Sequence, residues 1–342
     1  MPLTYTPRKR FSPQEYAQAI LAGDRIMLSR AITLIESKLP SDVALAEKVL
    51  EIILPHTGNS LRVGITGVPG VGKSTFIESF GKLITGMGKK LAVLTIDPSS
   101  QRSKGSILGD KTRMESLAND PMAYIRPSAS GATLGGVNNK TRETMLLCEA
   151  AGYEVILIET VGVGQSETTV AEIADFFLLL MLAGAGDELQ GIKKGIMEMA
   201  DALVITKADG DNVTMSQMAA REYANAMRLF PPQDSGWEPE VLTCSSVEQR
   251  GLDAIWEVIV RHHELMRKTG YFQAKRMEQN IAWMNEIIDY YLKYDFLHAP
   301  AVSEVLDFTQ HQVESGKLPA ITAAKRLLER FRGEGTEGTD GK

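Results

Sequence analysis

Residues 67–74 read Gly-Val-Pro-Gly-Val-Gly-Lys-Ser and meet the pattern G-x-x-x-x-G-K-[ST] at every constrained position. The apolar run LRVGIT precedes them and the helix-compatible TFIESFGKLI follows. A strand that turns through glycines into a helix presents a curl of backbone N–H groups at the positive end of the helix dipole, a ready cradle for phosphate. Lys73 is spaced to reach β and γ phosphates, and the Ser74 hydroxyl to ligate Mg²⁺. A phosphate loop is therefore expected over Gly67, Val68, Pro69, Gly70, Val71, Gly72, Lys73, Ser74 and Thr75. The alternative is an ordinary glycine-rich strand-to-helix turn, which the full match in this context disfavours.

The runs LRVGITG, LAVLTID, EVILIET, FFLLLML, ALVITKAD and EVLTCSS are short, nearly continuous in apolar residues and separated by helical stretches. Strands covered by helices on both faces read this way, so residues 61–268 are expected to form an α/β P-loop domain around a largely parallel sheet. Upstream, Leu28, Ile32, Ile35 and Leu39 share one helical stripe and Leu45, Val49 and Ile52 the next, which makes residues 1–60 an N-terminal helical segment. Beyond Gly270 the strands cease. Met277, Ile281, Met284, Ile288 and Tyr291 form a regular stripe, and Ile321, Ala324, Leu328 and Phe331 another after the break at Gly316–Pro319. Residues 269–332 are thus expected to be a helical segment whose apolar faces exceed what one flank of the domain needs, and the surplus predicts a homodimer, with intramolecular packing of the same faces as the alternative. Residues 333–342, GEGTEGTDGK, have no apolar side chain and are expected to be disordered.

Composition excludes several function classes. With 44% hydrophobic and 23% charged residues among 342, the chain can bury a substantial core. A net charge of -6 leaves no electrostatic footprint for nucleic acid or for acidic lipid surfaces. The longest apolar run, Phe176 to Gly186, falls well short of the roughly 20 residues a spanning helix needs, so a soluble protein is expected. No apolar segment follows the basic N-terminus as in a secretory signal, and the two separated cysteines suit a reducing cytosol, so the expected location is cytoplasmic. His56, His262, His263, His298 and His311 are scattered and read as structural or solvated rather than as metal ligands.

An acid is expected where a neighbouring strand ends at the phosphate crevice, because Mg²⁺ needs hard oxygen ligands. Asp97 ends LAVLTID, Glu159 ends EVILIET, and Asp110 lies in the loop SKGSILGDKTR. Glu159 opens Glu-Thr-Val-Gly, a turn whose Gly162 amide can meet a γ-phosphate while the carboxylate stays near the metal. Gln165, three residues further, is a candidate for orienting water, and Arg113 for completing the site. On the other side, ALVIT runs into Thr206-Lys207-Ala208-Asp209, which is similar to the NKxD guanine motif with threonine in place of the asparagine that usually braces the loop. A carboxylate at Asp209 can accept from the ring N–H and exocyclic amine of guanine, whereas adenine presents an acceptor there. Lys207 can lay its stem over the base. Ser245, Ser246 and Val247, after EVLTC, resemble the short loop whose backbone N–H meets the guanine carbonyl.

The P-loop, IDPSS, ETVGVGQSE, GDELQGIKKGIMEMAD, TKAD and the helical tail, in that order, closely resemble the MeaB/ArgK family, which includes the methylmalonic aciduria type A protein. The likeness runs from about Ser41 to Phe331. It implies a GTPase that binds GTP and GDP with Mg²⁺ and chaperones an adenosylcobalamin-dependent mutase, typically methylmalonyl-CoA mutase, by guarding cofactor loading and reactivation. By that resemblance Ser74, Asp97, Asp110 and Glu159 serve the metal and switch movement, and Lys207, Asp209 and Ser245 to Val247 bind guanine. The stretch Gly184 to Gly195 looks like a further switch, with Asp187, Glu188, Gln190 and Lys193 offered to the partner. An alternative from older descriptions of similar proteins is a nucleotide-dependent kinase or ATPase linked to basic amino-acid transport.

Overall fold

The computed structural model describes residues 10–96, 114–127, 134–160, 166–184 and 194–333. Three helices open it, α1 (Pro13–Leu21), α2 (Arg25–Glu36) and α3 (Pro40–Ile53). A capping box starts α1: the Ser12 hydroxyl accepts from Glu15 N at 3.2 Å and Ser12 N donates to the Glu15 carboxylate at 2.6 Å. Asp24 caps α2 by accepting from Ile26 N and Met27 N. The stripe expected through Leu39 stops short, because Pro40 disfavours helical backbone in the residue before it. Leu39 is extended and exposed, and Ile52 is at the edge of exposure, while Ala46, Val49 and Ile53 face the core from α3.

The sheet has seven parallel strands in the order β3-β2-β4-β1-β5-β6-β7, where β1 is Leu61–Gly67, β2 Leu91–Ile96, β3 Ala123–Arg126, β4 Val155–Thr160, β5 Phe176–Leu182, β6 Ala202–Thr206 and β7 Glu240–Thr243. Between them run α4 (Lys73–Gly86), α5 (Glu115–Ala118), α6 (Leu134–Ala150), α7 (Ser166–Ile173), α8 (Lys194–Met199) and α9 (Val213–Met227). The central strands are buried along nearly their whole length, as a sheet covered on both faces requires. From β1 the chain moves outward through β2 and β3, returns to β4 beside β1, then crosses to β5, β6 and β7 on the other side. The order reverses about β1, and in such sheets the crevice at the carboxyl ends there is where ligands bind.

Beyond β7 come α10 (Leu252–Thr269), α11 (Tyr271–His298), α12 (Pro300–Glu314) and α13 (Ala320–Arg332). The chain divides into two compact units, Met1–Gln279 and Asn280–Lys342. Within the second, α12 and α13 pack on each other, Val302, Ala323 and Leu318 of the connection between them are buried, and Phe331 of α13 meets Phe296 near the end of α11 edge to face at 5.3 Å. No helix among the described residues is long and apolar enough to cross a membrane.

Within the first unit, the start of α11 is fastened by buried charge. The Arg276 guanidinium donates to both oxygens of Asp175 at 2.8 and 2.7 Å and to Ser60 O at 2.7 Å. Glu149 accepts from Arg62 Nε at 2.9 Å, from Ser60 Oγ at 2.5 Å and from Gly58 N at 2.7 Å, with Arg276 Nη1 at 3.4 Å. Burial alone would raise both carboxyl groups, but the facing guanidinia and hydrogen bonds outweigh it and hold both below the usual carboxylate range. Lys275 Nζ reaches Asp175 O and Gln279 Nε2 reaches Ala174 O, so three side chains of α11 grip the residues that follow α7.

Candidate nucleotide site

The carboxyl end of β1 leads through residues 67–72 into α4. Gly67 lies so close to β5 that a Cβ there would sit 2.5 Å from Leu180 O, and Gly72 caps α4 with φ +87°, in the left-handed region. These two constraints turn the loop over the helix N-terminus, with Val68 and Val71 packed inward beneath it. Lys73 Nζ donates to Gly67 O at 2.9 Å, so the ammonium folds back across the loop it serves. Ser74 is half-buried in the first turn of α4, and Thr75 beside it is exposed.

On one side of β1, β4 places Glu159 in register with Ile65 of β1 and Thr95 of β2, at the strand end. Its carboxylate is 2% exposed and accepts from Thr95 Oγ1 at 3.3 Å. Next to it, the Thr66 and Thr160 hydroxyls meet at 3.0 Å and tie β1 to β4. An anionic oxygen group in this position is the kind of ligand Mg²⁺ takes. Asp97, Asp110, Arg113, Gly162 and Gln165 lie outside the described residues, as do Asp187, Glu188, Gln190 and Lys193. Gly184, where that last stretch begins, has φ +79° and lies beside the Met215 side chain of α9.

On the other side, β6 ends at Thr206, and its hydroxyl donates to Val71 O at 2.8 Å. The threonine that replaces the asparagine of NKxD therefore braces the phosphate loop directly. Lys207 follows at φ 54° with its stem beside Gly72, and Asn212 Nδ2 donates to Lys207 O at 2.7 Å. Asp209 is half-buried and accepts from Ser245 Oγ at 2.6 Å, which joins the turn after β6 to the turn after β7. Glu248 N donates to the same Ser245 hydroxyl at 3.0 Å, so its one proton is committed to Asp209. Ser246 O accepts from Ser79 Oγ of α4 at 2.9 Å, and Val247 stands out into solvent at 80% exposure. Arg250, absent from the motifs, donates to Ala208 O at 2.5 Å. The carboxyl end of β4 and the turns after β1, β6 and β7 thus line one edge of the sheet, with the Glu159 carboxylate on one flank of the glycine-rich turn and the Asp209 carboxylate on the other.

The fold and this edge define a P-loop nucleotide-binding protein of the GTPase kind. The chain matches, over residues 28–301, the family described as "Methylmalonyl Co-A mutase-associated GTPase MeaB". It is 49% identical over 272 residues to "GTPase ArgK" of Escherichia coli strain K12, covering 80% of this chain and 82% of that protein. It is 43% identical over 334 residues to "Methylmalonic aciduria type A homolog, mitochondrial" of Mus musculus, covering 95% and 80%. A solved structure titled "Crystal structure of LAO/AO transport system kinase" superposes with a TM-score of 0.75 at 38% identity, covering 94% of this chain and 97% of that one. The chain belongs to the MeaB family of GTPases.

Proposed function

We propose that this GTPase is a chaperone whose nucleotide state is read by an adenosylcobalamin-dependent mutase, gating cofactor loading and protecting or reactivating that enzyme. The observation that carries the partner is the family match over residues 28–301, whose description names methylmalonyl-CoA mutase. GTP is held by the phosphate loop, Gly67 to Thr75, with guanine against Lys207, Asp209 and Ser245 to Val247. Phosphoryl transfer asks for positioning and charge neutralisation more than covalent chemistry. Lys73 supplies positive charge at the β and γ phosphates, and Glu159, at the end of β4, stands as the acid for the metal and the switch. Ser74 and Glu159 offer hard oxygens of the kind that would hold Mg²⁺, with Asp97 and Asp110 as further candidate ligands, and the ion would supply charge neutralisation at the phosphate oxygens. Gln165 orients water in this scheme. Its place is not the one usual in small GTPases, so intrinsic turnover is slow. Asp187, Glu188, Gln190 and Lys193 are the contacts offered to the mutase in this scheme, and the setting is the cytoplasm.

The protein acts as a homodimer through its C-terminal helices. Ile281, Met284, Ile288 and Tyr291 are each about half exposed, and Tyr290, Leu292 and Tyr294 are exposed on other sides of α11. A helix apolar over so much of its circumference is stable only when covered, and a second copy presents the same uncovered faces.

Light scattering tests both parts together. Alone, the protein should run at twice the 37.4 kDa of one chain. Mixed with purified methylmalonyl-CoA mutase, it should form a complex whose mass fraction differs between GDP and a non-hydrolysable GTP analogue. A monomer at micromolar concentration would remove the dimer, and no complex with either nucleotide would remove the partner.

A further inference from the structure

We propose that Arg250 is a positioning residue for guanine selectivity, locking the turn after β6 to the turn after β7 so that Asp209 is aimed before nucleotide arrives. The inference rests on the reading of Asp209 as the guanine acceptor.

Three ties join the two turns. Ala208 N donates to Cys244 O at 3.0 Å, Arg250 Nη2 donates to Ala208 O at 2.5 Å, and Ser245 Oγ donates to Asp209 at 2.6 Å. Arg250 also exchanges both backbone hydrogen bonds with Ser245, each at 3.0 Å, so the residue that grips Ala208 closes the loop that carries Ser245. Glu248 lies 3.1 Å from the same Arg250 nitrogen and steadies the guanidinium toward this contact.

Backbone strain shows why such a lock is needed. Among the described residues, the two non-glycines with positive φ are Lys207 at 54° and Gln249 at 52°, one in each of these turns. Side-chain-bearing residues occupy that region only where surrounding contacts over-determine it. Lys207 is held by Asn212 on its carbonyl and, through Ala208, by Arg250. Gln249 stands between Glu248 and Arg250, and Gly251 behind it closes so tightly that a Cβ would lie 2.5 Å from Thr243 O. Without the guanidinium, the buried Ala208 carbonyl loses a strong donor and Lys207 to Asp209 can relax toward ordinary backbone. The phosphate side is braced separately, by Thr206 to Val71. Removal of the Arg250 side chain should therefore loosen the base site and leave the phosphate cradle in place.

The test is calorimetry of the full chain with GDP, IDP, which lacks the 2-amine, and ADP, in Mg²⁺ buffer. The variants are Arg250→Ala, Arg250→Lys and Asp209→Asn, with circular dichroism confirming that each is folded. Arg250→Ala should weaken GDP about tenfold or more, IDP by less, and ADP by no more than about threefold, so the GDP preference contracts. Arg250→Lys, which keeps one donor toward Ala208, should fall between parent and Arg250→Ala. A parental GDP-to-ADP ratio in Arg250→Ala would overturn the proposal, and so would equal losses for all three nucleotides, which would mark a general structural role. A parental ratio in Asp209→Asn would instead overturn the reading of Asp209, whatever Arg250→Ala does.

Discussion

Thr206 departs from the guanine motif by one residue, and its consequence depends on where its oxygen lies. The hydroxyl meets Val71 O at 2.8 Å, so the role of bracing the phosphate loop passes to a shorter side chain. The phosphate and base motifs were legible in the sequence because each is contiguous and sits where an apolar run ends. Arg250 was not, because its value depends on Ala208, 42 positions away in the chain. His262 also carries a consequence of folding. It is 3% exposed, its ring stands edge-on to Phe176 and Trp237, and Asp201 lies 3.8 Å away, too far for a hydrogen bond. Burial above all, with Lys275 and His263 adding to it against Asp175, lowers its pKa to about 3. The unfolded chain takes up this proton below about pH 6.5 and the folded one does not, so stability contributed by the neutral ring is complete above that pH. It is lost as pH falls toward 3, by about 1.4 kcal/mol per unit. In urea titrations from pH 7 to pH 4.5, His262→Phe should show a shallower loss of stability than the parent. Parallel curves would mean that His262 does not stay neutral in the fold.

At the scale of elements, the strands and the central core follow from short, nearly unbroken apolar runs of the kind a sheet covered on both faces accommodates, while the strand order, β3-β2-β4-β1-β5-β6-β7, is set by crossovers that no run in the sequence encodes. Local chemistry could still mislead at a boundary: Leu39 continues the period of Leu28, Ile32 and Ile35, but Pro40 begins a new helix and turns Leu39 outward. The clamp on α11 could not be read from the chain at all, since Arg276 meets Asp175 from 101 residues away and Glu149 from 127. Removing one member of a buried ionic cluster leaves its partners uncompensated, so Arg276→Ala should cost about 3–5 kcal/mol by denaturant unfolding. Because Glu149 and Asp175 are held below the usual carboxylate range, the cluster's contribution is present above about pH 4 and is lost as pH falls through the folded values. A loss under 1 kcal/mol would show that the clamp is dispensable.

At the scale of the whole molecule, the first compact unit extends to Gln279, beyond the Gly270 break in strand pattern, because Lys275, Arg276 and Gln279 are fastened to residues 174 and 175. A truncation near Thr269 would strip Asp175 of its guanidinium, so the proposed dimer is better tested by polar substitution at Ile281, Met284 and Ile288. The nucleotide edge, the grip of α11 on residues 174 and 175 and the exposed apolar side chains of the C-terminal helices are the features on which the proposed work in company with a mutase rests. The most direct measurement is steady-state GTP turnover by the parent and by Lys73→Ala, each with and without purified adenosylcobalamin-dependent methylmalonyl-CoA mutase. The parent should turn over slowly alone and at a changed rate with the mutase, while Lys73→Ala, folded by circular dichroism, should be inactive in both cases. Parental turnover in Lys73→Ala, or a parent rate indifferent to saturating mutase, would contradict it.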